Sequence, residues 1–179
     1  MAQDKPPPIP ESELSFERFR ETRDVESFDC GNRDLNDFLC TEEVAKYEAE
    51  GFGYTYLVYW RGKLVAYLTV CSDSLRVEYL QKHKSFSRFH DMRMETIPSL
   101  KIGRLATDLR YAGRGVGTAC LKYAIGMVKA NAIAARLIIL QAEPGSEDWY
   151  VSRGFDFVFP TRKEQKRDKK TMYLDIQAV

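Results

Sequence analysis

The chain has 179 residues, with 27 basic against 26 acidic side chains and a net charge of +1. That length suits one compact domain, and the balance exerts no general pull toward nucleic acid or an acidic partner. No apolar run reaches the roughly 18 residues a membrane helix needs and no signal-peptide h-region opens the chain, which predicts a cytoplasmic protein. Cys30, Cys40, Cys71 and Cys120 are scattered with no Cys-x-x-Cys pair and only two histidines to assist; no metal site is expected, and the thiols should be reduced and mostly buried.

Taken in chain order, residues 1–11 hold four of the seven prolines and little that could pack, so they read as a flexible tail ahead of a single domain over 12–179. Residues 12–20 read as a first strand. From 24 to 50, Asn32 or Asp34 can cap a helix carrying Leu35, Phe38 and Leu39, and Glu42-Glu43 breaks the apolar stripe, which predicts two short helices. Residues 54–60 and 64–72 are β-rich runs joined by Arg61-Gly62-Lys63, a tight hairpin signal. A short helix near 75–82 and then polar chain up to Pro98 complete the first half, with His83 and His90 read as surface residues.

Residues 100–107 read as a fourth strand, and 118–130 carry Leu121, Ala124, Ile125 and Val128 at helical spacing. Residues 135–142 give a near-continuous apolar run, as expected of a strand covered on both faces. Glu143-Pro144-Gly145 turns the chain, Pro144 or Ser146 opens a short helix, and 155–159 and 171–176 alternate as closing strands. Between these last two, 161–170 is a basic loop with Arg162, Lys163, Lys166, Arg167, Lys169 and Lys170. A solvated hairpin tip is the ordinary explanation of such a run. An RNA contact is the sharper one, and it would need further basic surface, for which Lys82, Lys84, Arg88 and Arg93 are candidates.

The most informative stretch is Arg110-Tyr111-Ala112-Gly113-Arg114-Gly115-Val116-Gly117-Thr118, between the fourth strand and the long helix. Glycines let backbone amides approach a ligand, and the first turn of a helix attracts an anion through its unpaired amides and its dipole. Arg114 would add a charge-assisted contact. A nucleotide-hydrolysing loop needs Gly-Lys-Ser/Thr, whereas Gly117 is followed directly by Thr118. A dinucleotide fingerprint needs Gly-x-Gly-x-x-Gly, whereas this turn is Gly-x-Gly-x-Gly.

Arg110-x-x-Gly113-x-Gly115 resembles the pyrophosphate loop of the GCN5-related N-acetyltransferase (GNAT) superfamily. Trp149-Tyr150-Val151-Ser152-Arg153-Gly154-Phe155 resembles its aromatic-Tyr-x-x-x-Gly-Phe signature, and Phe28-Asp29-Cys30-Gly31-Asn32 followed by Leu35, Phe38 and Leu39 resembles a segment of the branch that includes toxins acetylating aminoacyl-tRNA. The resemblance covers roughly 12–177. It implies an α/β fold with a central mixed and splayed β-sheet of about six to seven strands flanked by helices. It also implies an N-acetyltransferase using acetyl-CoA as co-substrate, with Ala112, Gly113, Arg114, Gly115, Val116, Gly117 and Thr118 behind Arg110 at the pyrophosphate. Leu105, Ala106 and Thr107 would hold the pantetheine and polarise the thioester carbonyl.

Acetyl transfer from a thioester needs a neutral amine, donors for the developing oxyanion and a proton for the departing thiolate. The resemblance puts Tyr150 at the thioester sulfur as general acid, and no covalent intermediate is required. Asp108, Glu143 and Glu95 are candidates for a general base. Glu143 departs from the Asn many relatives carry seven residues before the tyrosine, and a carboxylate there accepts but does not donate. The partners implied are acetyl-CoA and an amine acceptor, with tRNA, an antitoxin protein and a second copy of the chain to be tested. The competing readings are a toxin of a toxin-antitoxin pair acting on aminoacyl-tRNA and a GNAT domain that binds acyl-CoA without turnover.

Overall fold

The structure is a computed structural model that describes residues 6–21, 25–80, 83, 93–130, 132–159 and 169–179. Seven strands form one mixed sheet in the order β1-β2-β3-β4-β5-β7-β6. They are β1 (Leu14–Arg18), β2 (Tyr54–Trp60), β3 (Lys63–Arg76), β4 (Thr96–Thr107), β5 (Leu137–Ala142), β6 (Asp156–Phe157) and β7 (Lys170–Asp175). Helices α1 (Arg33–Cys40), α2 (Glu43–Ala49), α3 (Val77–Leu80), α4 (Val116–Lys129) and α5 (Glu147–Val151) accompany it. By packing, the residues fall into two compact units, Met1–Cys71 with Gly103–Ala124, and Ser72–Ile102 with Ile125–Val179.

In the first unit, β1 and β3 flank β2 in antiparallel register. Arg61 (φ +50°) and Gly62 (φ +73°) both sit in the left-handed region, which gives the turn the twist that matches a hairpin. Asn32 caps α1 by accepting from the Leu35 amide at 3.3 Å. α2 ends on Gly51 at φ +71°, and the Phe52 amide returns to the Tyr47 carbonyl, so the two rings meet 5.6 Å apart. This left-handed glycine stop satisfies the last helical carbonyls and adds an apolar contact. Phe28, Phe38, Leu39, Val44, Leu57 and Tyr67 are among the buried core. The Tyr67 hydroxyl donates to the Leu35 carbonyl at 2.8 Å, and burial pushes its pKa far up.

In the second unit, β4 and β5 run parallel from Ser99↔Leu137 to Ile102↔Leu140. β7 pairs antiparallel with both β5 and β6. Leu75, Leu80, Ile97, Leu137, Ile139 and Val158 are buried together beneath α3. Burial on both faces explains the near-continuous apolar sequence of β5.

Four expectations are corrected. Residues 6–11 are not a flexible tail: Ile9 is 4% exposed, and its amide donates to the Arg114 carbonyl at 2.9 Å. The closing strand expected over 155–159 is only two residues long. His83 is not a surface residue, because its side chain is 12% exposed and its Nδ1 lies 3.1 Å from the Tyr173 hydroxyl. All four cysteines are free, but only Cys120 is buried and Cys40 is exposed. His90 lies outside the described residues. Among the described residues no helix is long and apolar enough to cross a membrane, and no cluster of His, Cys, Asp or Glu could hold a metal ion.

Gly53 shows how tightly α2 docks on the sheet. A Cβ there would lie 2.5 Å from the Val70 carbonyl oxygen and 2.9 Å from the Tyr47 ring, and backbone on one side leaves no room to yield. Gly53→Ala is therefore expected to destabilise the protein by about 1–3 kcal/mol, the usual cost of overpacking. An unchanged urea midpoint would show that α2 is looser than this.

Candidate acetyl-CoA site

The turn after β4 is built around one buried carboxylate. Asp108 is 1% exposed, and its Oδ1 accepts from the Arg110 amide at 2.9 Å and from Arg110 Nε at 2.8 Å. Its Oδ2 accepts from Arg110 Nη2 at 2.7 Å and from the Asp29 amide at 3.2 Å. Arg110 Nη2 also donates to the Ser27 carbonyl, and the Leu109 amide donates to the Asp29 carbonyl. Burial raises the pKa of Asp108, but the hydrogen bonds from Arg110 and the Asp29 amide outweigh it and hold the carboxyl below its ordinary value. Asp108 is thus a fixed anion that organises the turn, a poor choice for the general base.

Phe28–Asn32 acquires a physical role in this arrangement. Asp29 Oδ1 accepts from the Gly31 amide and from Asn36 Nδ2, both at 2.8 Å, and these bonds lower its pKa. Asn36 Oδ1 in turn accepts from the Cys30 amide at 2.9 Å and the Cys30 thiol at 3.1 Å. Gly31 (φ +79°) lies under the Leu109 side chain, 3.5 Å from where its Cβ would be. The segment therefore clasps the start of α1 to the entry of the glycine turn. The sequence could not disclose this, because Asp29 and Asp108 are 79 positions apart.

Beyond the clasp, Gly113 (φ +74°) and Gly115 (φ +88°) take left-handed conformations, and nothing lies within 4 Å of a Cβ built on either. The backbone is open on that side. α4 begins at Val116, so Gly117 and Thr118 belong to the helix and the turn contains two glycines rather than the three expected. Nε and Nη2 of Arg110 are engaged by Asp108 and Ser27, and Arg114 Nε donates to the Pro7 carbonyl at 2.9 Å with its guanidinium 4.7 Å from the Trp60 ring centre. What the turn offers an anion is chiefly its backbone amides and the positive end of α4. Ahead of it on β4, Ala106 is buried and Leu105 and Thr107 are half-buried.

The second unit holds Tyr150 on α5. The helix stops at Gly154 (φ +87°), where the Phe155 amide bonds to the Tyr150 carbonyl and the Gly154 amide to the Val151 carbonyl. That pair of bonds marks a left-handed glycine cap, and it accounts for the Tyr-x-x-x-Gly-Phe spacing. The Tyr150 ring meets Trp149 and Phe155 edge-on, at 4.8 and 5.5 Å, so the aromatic anchor Phe155, 3% exposed, fixes the ring from below. Arg153 lies 3.8 Å over the Trp149 ring and donates to the Trp149 carbonyl. Glu143 pairs with Lys169 at 2.6 Å, and Glu95 is exposed, its carbonyl accepting from Val77.

Burial pushes the Cys30 and Cys40 thiols up and Cys120 to about 12, so none of these three is a thiolate nucleophile at neutral pH. Of the candidate RNA contacts, Arg93 is exposed; Lys82, Lys84, Arg88 and 161–168 lie outside the described residues, leaving Lys169 and Lys170 from the basic loop.

The clasp makes a pH-dependent prediction. Since the folded pKa of Asp108 lies below its unfolded value near 3.9, its stabilisation is present at neutral pH and is lost as pH falls through the folded pKa. Asp108→Asn turns an amide N–H toward donors that need an acceptor, and should cost about 1–3 kcal/mol at pH 7. The gap between wild type and variant in urea melts should narrow steadily below pH 4. A gap that is constant from pH 7 to pH 3 would mean the charge plays no part.

No family model matches the sequence. The tRNA-acetylating toxin of Mycobacterium tuberculosis is 28% identical over 148 residues, covering 80% of this chain and 84% of that protein. Among solved structures, AtaT complexed with acetyl-methionyl-tRNAfMet superposes with a TM-score of 0.75 at 21% identity, over 92% of this chain and 96% of the other. AtaTR bound with AcCoA gives 0.70 at 21% identity, over 93% and 96%, and a bacterial toxin gives 0.78 at 19%, over 92% of each. These likenesses establish the fold along nearly the whole chain, and they agree with what the Arg110–Gly115 turn and the Tyr150 signature imply. The chain has the fold of these proteins, and its motifs resemble those of the GNAT superfamily, in the branch that includes tRNA-acetylating toxins.

Proposed function

We propose that this protein transfers the acetyl group of acetyl-CoA directly to a primary amine, and that the amine is the α-amino group of an aminoacyl-tRNA. The observation that carries the first half is the open turn at Gly113 and Gly115, left-handed, unobstructed and leading into α4. Amides of Gly113 and of 115–118 take the pyrophosphate, those of Ala112 and Arg114 being turned back to the Leu109 and Tyr111 carbonyls, and backbone amides of Leu105–Thr107 hold the pantetheine and polarise the thioester carbonyl. The neutral amine attacks that carbonyl, the new C–N bond forms, and the C–S bond breaks. Tyr150 gives its phenolic proton to the departing thiolate and regains one from the solvent that takes the proton released by the amine. No cysteine is acylated. The acceptor assignment is supported by the 28% relative, a tRNA-acetylating toxin. On this reading the protein works in the cytoplasm, where acetyl-CoA and charged tRNA meet, with an antitoxin protein as its natural inhibitor.

Acetyl-CoA should stabilise the protein by about 2.7 kcal/mol at a hundredfold excess over its dissociation constant, because it binds only the native state. Gly115→Asp should abolish that shift, since any side chain is strained at φ +88° and a carboxylate repels the pyrophosphate. A wild type whose melting temperature ignores both acetyl-CoA and CoA would remove the cofactor assignment.

Tyr150→Phe keeps the ring and its contacts and loses one hydroxyl, so turnover should fall about 10²–10⁴-fold, the usual worth of general acid assistance, with acetyl-CoA affinity within about tenfold. An unchanged rate returns Tyr150 to a packing role. For the acceptor, expression in bacteria should arrest growth with acetylated aminoacyl-tRNA accumulating, and replacing Lys166, Arg167, Lys169 and Lys170 by Ala should relieve the arrest. Normal growth with no acetylated aminoacyl-tRNA, from an enzyme that still binds acetyl-CoA, would point to small-molecule or protein amines; binding with no turnover on any amine would leave a non-catalytic acyl-CoA-binding domain.

A further inference from the structure

The N-terminal segment before β1 lies against the glycine turn, and apart from a pairing of Glu13 with Arg61 its side-chain contacts act on that turn or on what supports it. Ile9 is buried, and its amide donates to the Arg114 carbonyl at 2.9 Å. The Pro7 carbonyl accepts from Arg114 Nε at 2.9 Å. Farther along, Glu11 pairs with Lys122 on α4, and Glu13 accepts from Trp60 Nε1 at 2.8 Å, beneath the guanidinium of Arg114. We propose that residues 7–13 form a strap that belongs to the acetyl-CoA site and sets the direction of the Gly115 amide toward the pyrophosphate. The inference rests on the acetyl-CoA reading above.

The reason is the geometry of one peptide group. Carbonyl and N–H of a trans peptide point in opposite directions in a common plane. By holding the Arg114 carbonyl, Ile9 turns the Gly115 N–H away from the strap, in a turn where a Cβ built on Gly115 would meet nothing within 4 Å. Flanking glycines at 113 and 115 leave this peptide the freest in the turn, since glycine loses the most conformational entropy when fixed. Without the strap, acetyl-CoA would have to order that peptide itself. A donor aimed in advance binds more tightly than one ordered by its ligand. The side-chain bond to Pro7 holds the Arg114 guanidinium back against Trp60, which keeps a long side chain out of the open face.

The strap acts through the pyrophosphate, so the test compares acetyl-CoA with S-acetylpantetheine, which lacks that group, by thermal-shift titration of four proteins. These are the full chain, a truncation beginning at Glu11, and Ile9→Ala, with Ile9→Leu as the conservative control. Loss of two ordinary hydrogen bonds corresponds to about a tenfold change in affinity. Truncation should weaken acetyl-CoA by about that factor and leave S-acetylpantetheine within twofold; Ile9→Ala should go part of the way and Ile9→Leu should match wild type. If both ligands weaken equally, or neither does, the segment only adds stability and the proposal falls. Tighter binding of acetyl-CoA by the truncated chain would also overturn it, because the segment would then be blocking the site. If the full chain binds no acetyl-CoA, the cofactor reading itself has failed, which differs from every outcome above.

Discussion

Everything the glycine turn can do depends on the carboxylate of Asp108. A charge taken out of water must be repaid in full by its neighbours, and a buried anion with one partner missing is costly. Asp108 meets that demand with four donors, three from Arg110 and one from the Asp29 backbone. The chain must therefore leave β4, make a tight 3-10 turn over Leu109–Tyr111 and present Gly113 and Gly115 in one arrangement. Because the Asp29 backbone is one of the donors, the Phe28–Asn32 segment is bound into the same network, and Phe28 anchors it by an edge-on contact with Tyr67 in the core. A disturbance of that segment should reach the turn without touching a ligand.

This arrangement also decides what kind of anion site the turn can be. Two arginines beside a glycine turn suggest charge pairing with phosphate, yet the structure turns the donors of Arg110 toward Asp108 and holds Arg114 against Pro7 and Trp60. On the proposed reading, recognition falls to backbone amides and the end of α4, which are fixed in direction and lose little entropy when a ligand arrives. Amides suit a pyrophosphate that must be gripped through many turnovers and released. A free guanidinium would bind more strongly and less selectively, since it pairs as readily with any phosphate or carboxylate.

Much of this was legible in the sequence. Apolar periodicity located β2, β3, β5 and α4, and the glycines marked the turns at 62, 113–115 and 154, where the backbone takes positive φ. A cap at Asn32 or Asp34 marked the start of α1, and the interruption of the apolar stripe at Glu42-Glu43 separated it from α2. The rest was hidden for specific reasons. Ile9 is a single apolar residue among prolines, and no periodicity can signal that it is buried. β3 runs on to Arg76 through Ser72-Asp73-Ser74, whose exposed polar side chains conceal a strand. The Asp29 to Asp108 bond joins distant parts of the chain, so a segment that resembles a family signature gave no sign of its mechanical job. Arg110 was hidden for the opposite reason: its partner Asp108 is two residues away, and a short spacing of that kind looks like nothing until the turn is folded.

The same network agrees with the direct transfer proposed above. An acyl-enzyme route needs a thiolate or an activated hydroxyl, and burial holds the Cys30, Cys40 and Cys120 thiols protonated. Asp108, one of three candidate carboxylates in the sequence, holds the turn. A thioester is already activated, so an amine needs only a polarised carbonyl and a proton for the leaving sulfur. The first requires amides on β4. The second requires one hydroxyl at a fixed place, and the Tyr150 proposed for it is held by α5: the Gly154 cap returns the backbone to the Tyr150 carbonyl, while Phe155 and Trp149 hold the ring edge-on. Five helical residues would not be stable alone. Their stability comes from the buried Phe155 that follows, so the aromatic after the glycine matters as much to the position of the tyrosine as the helix that carries it.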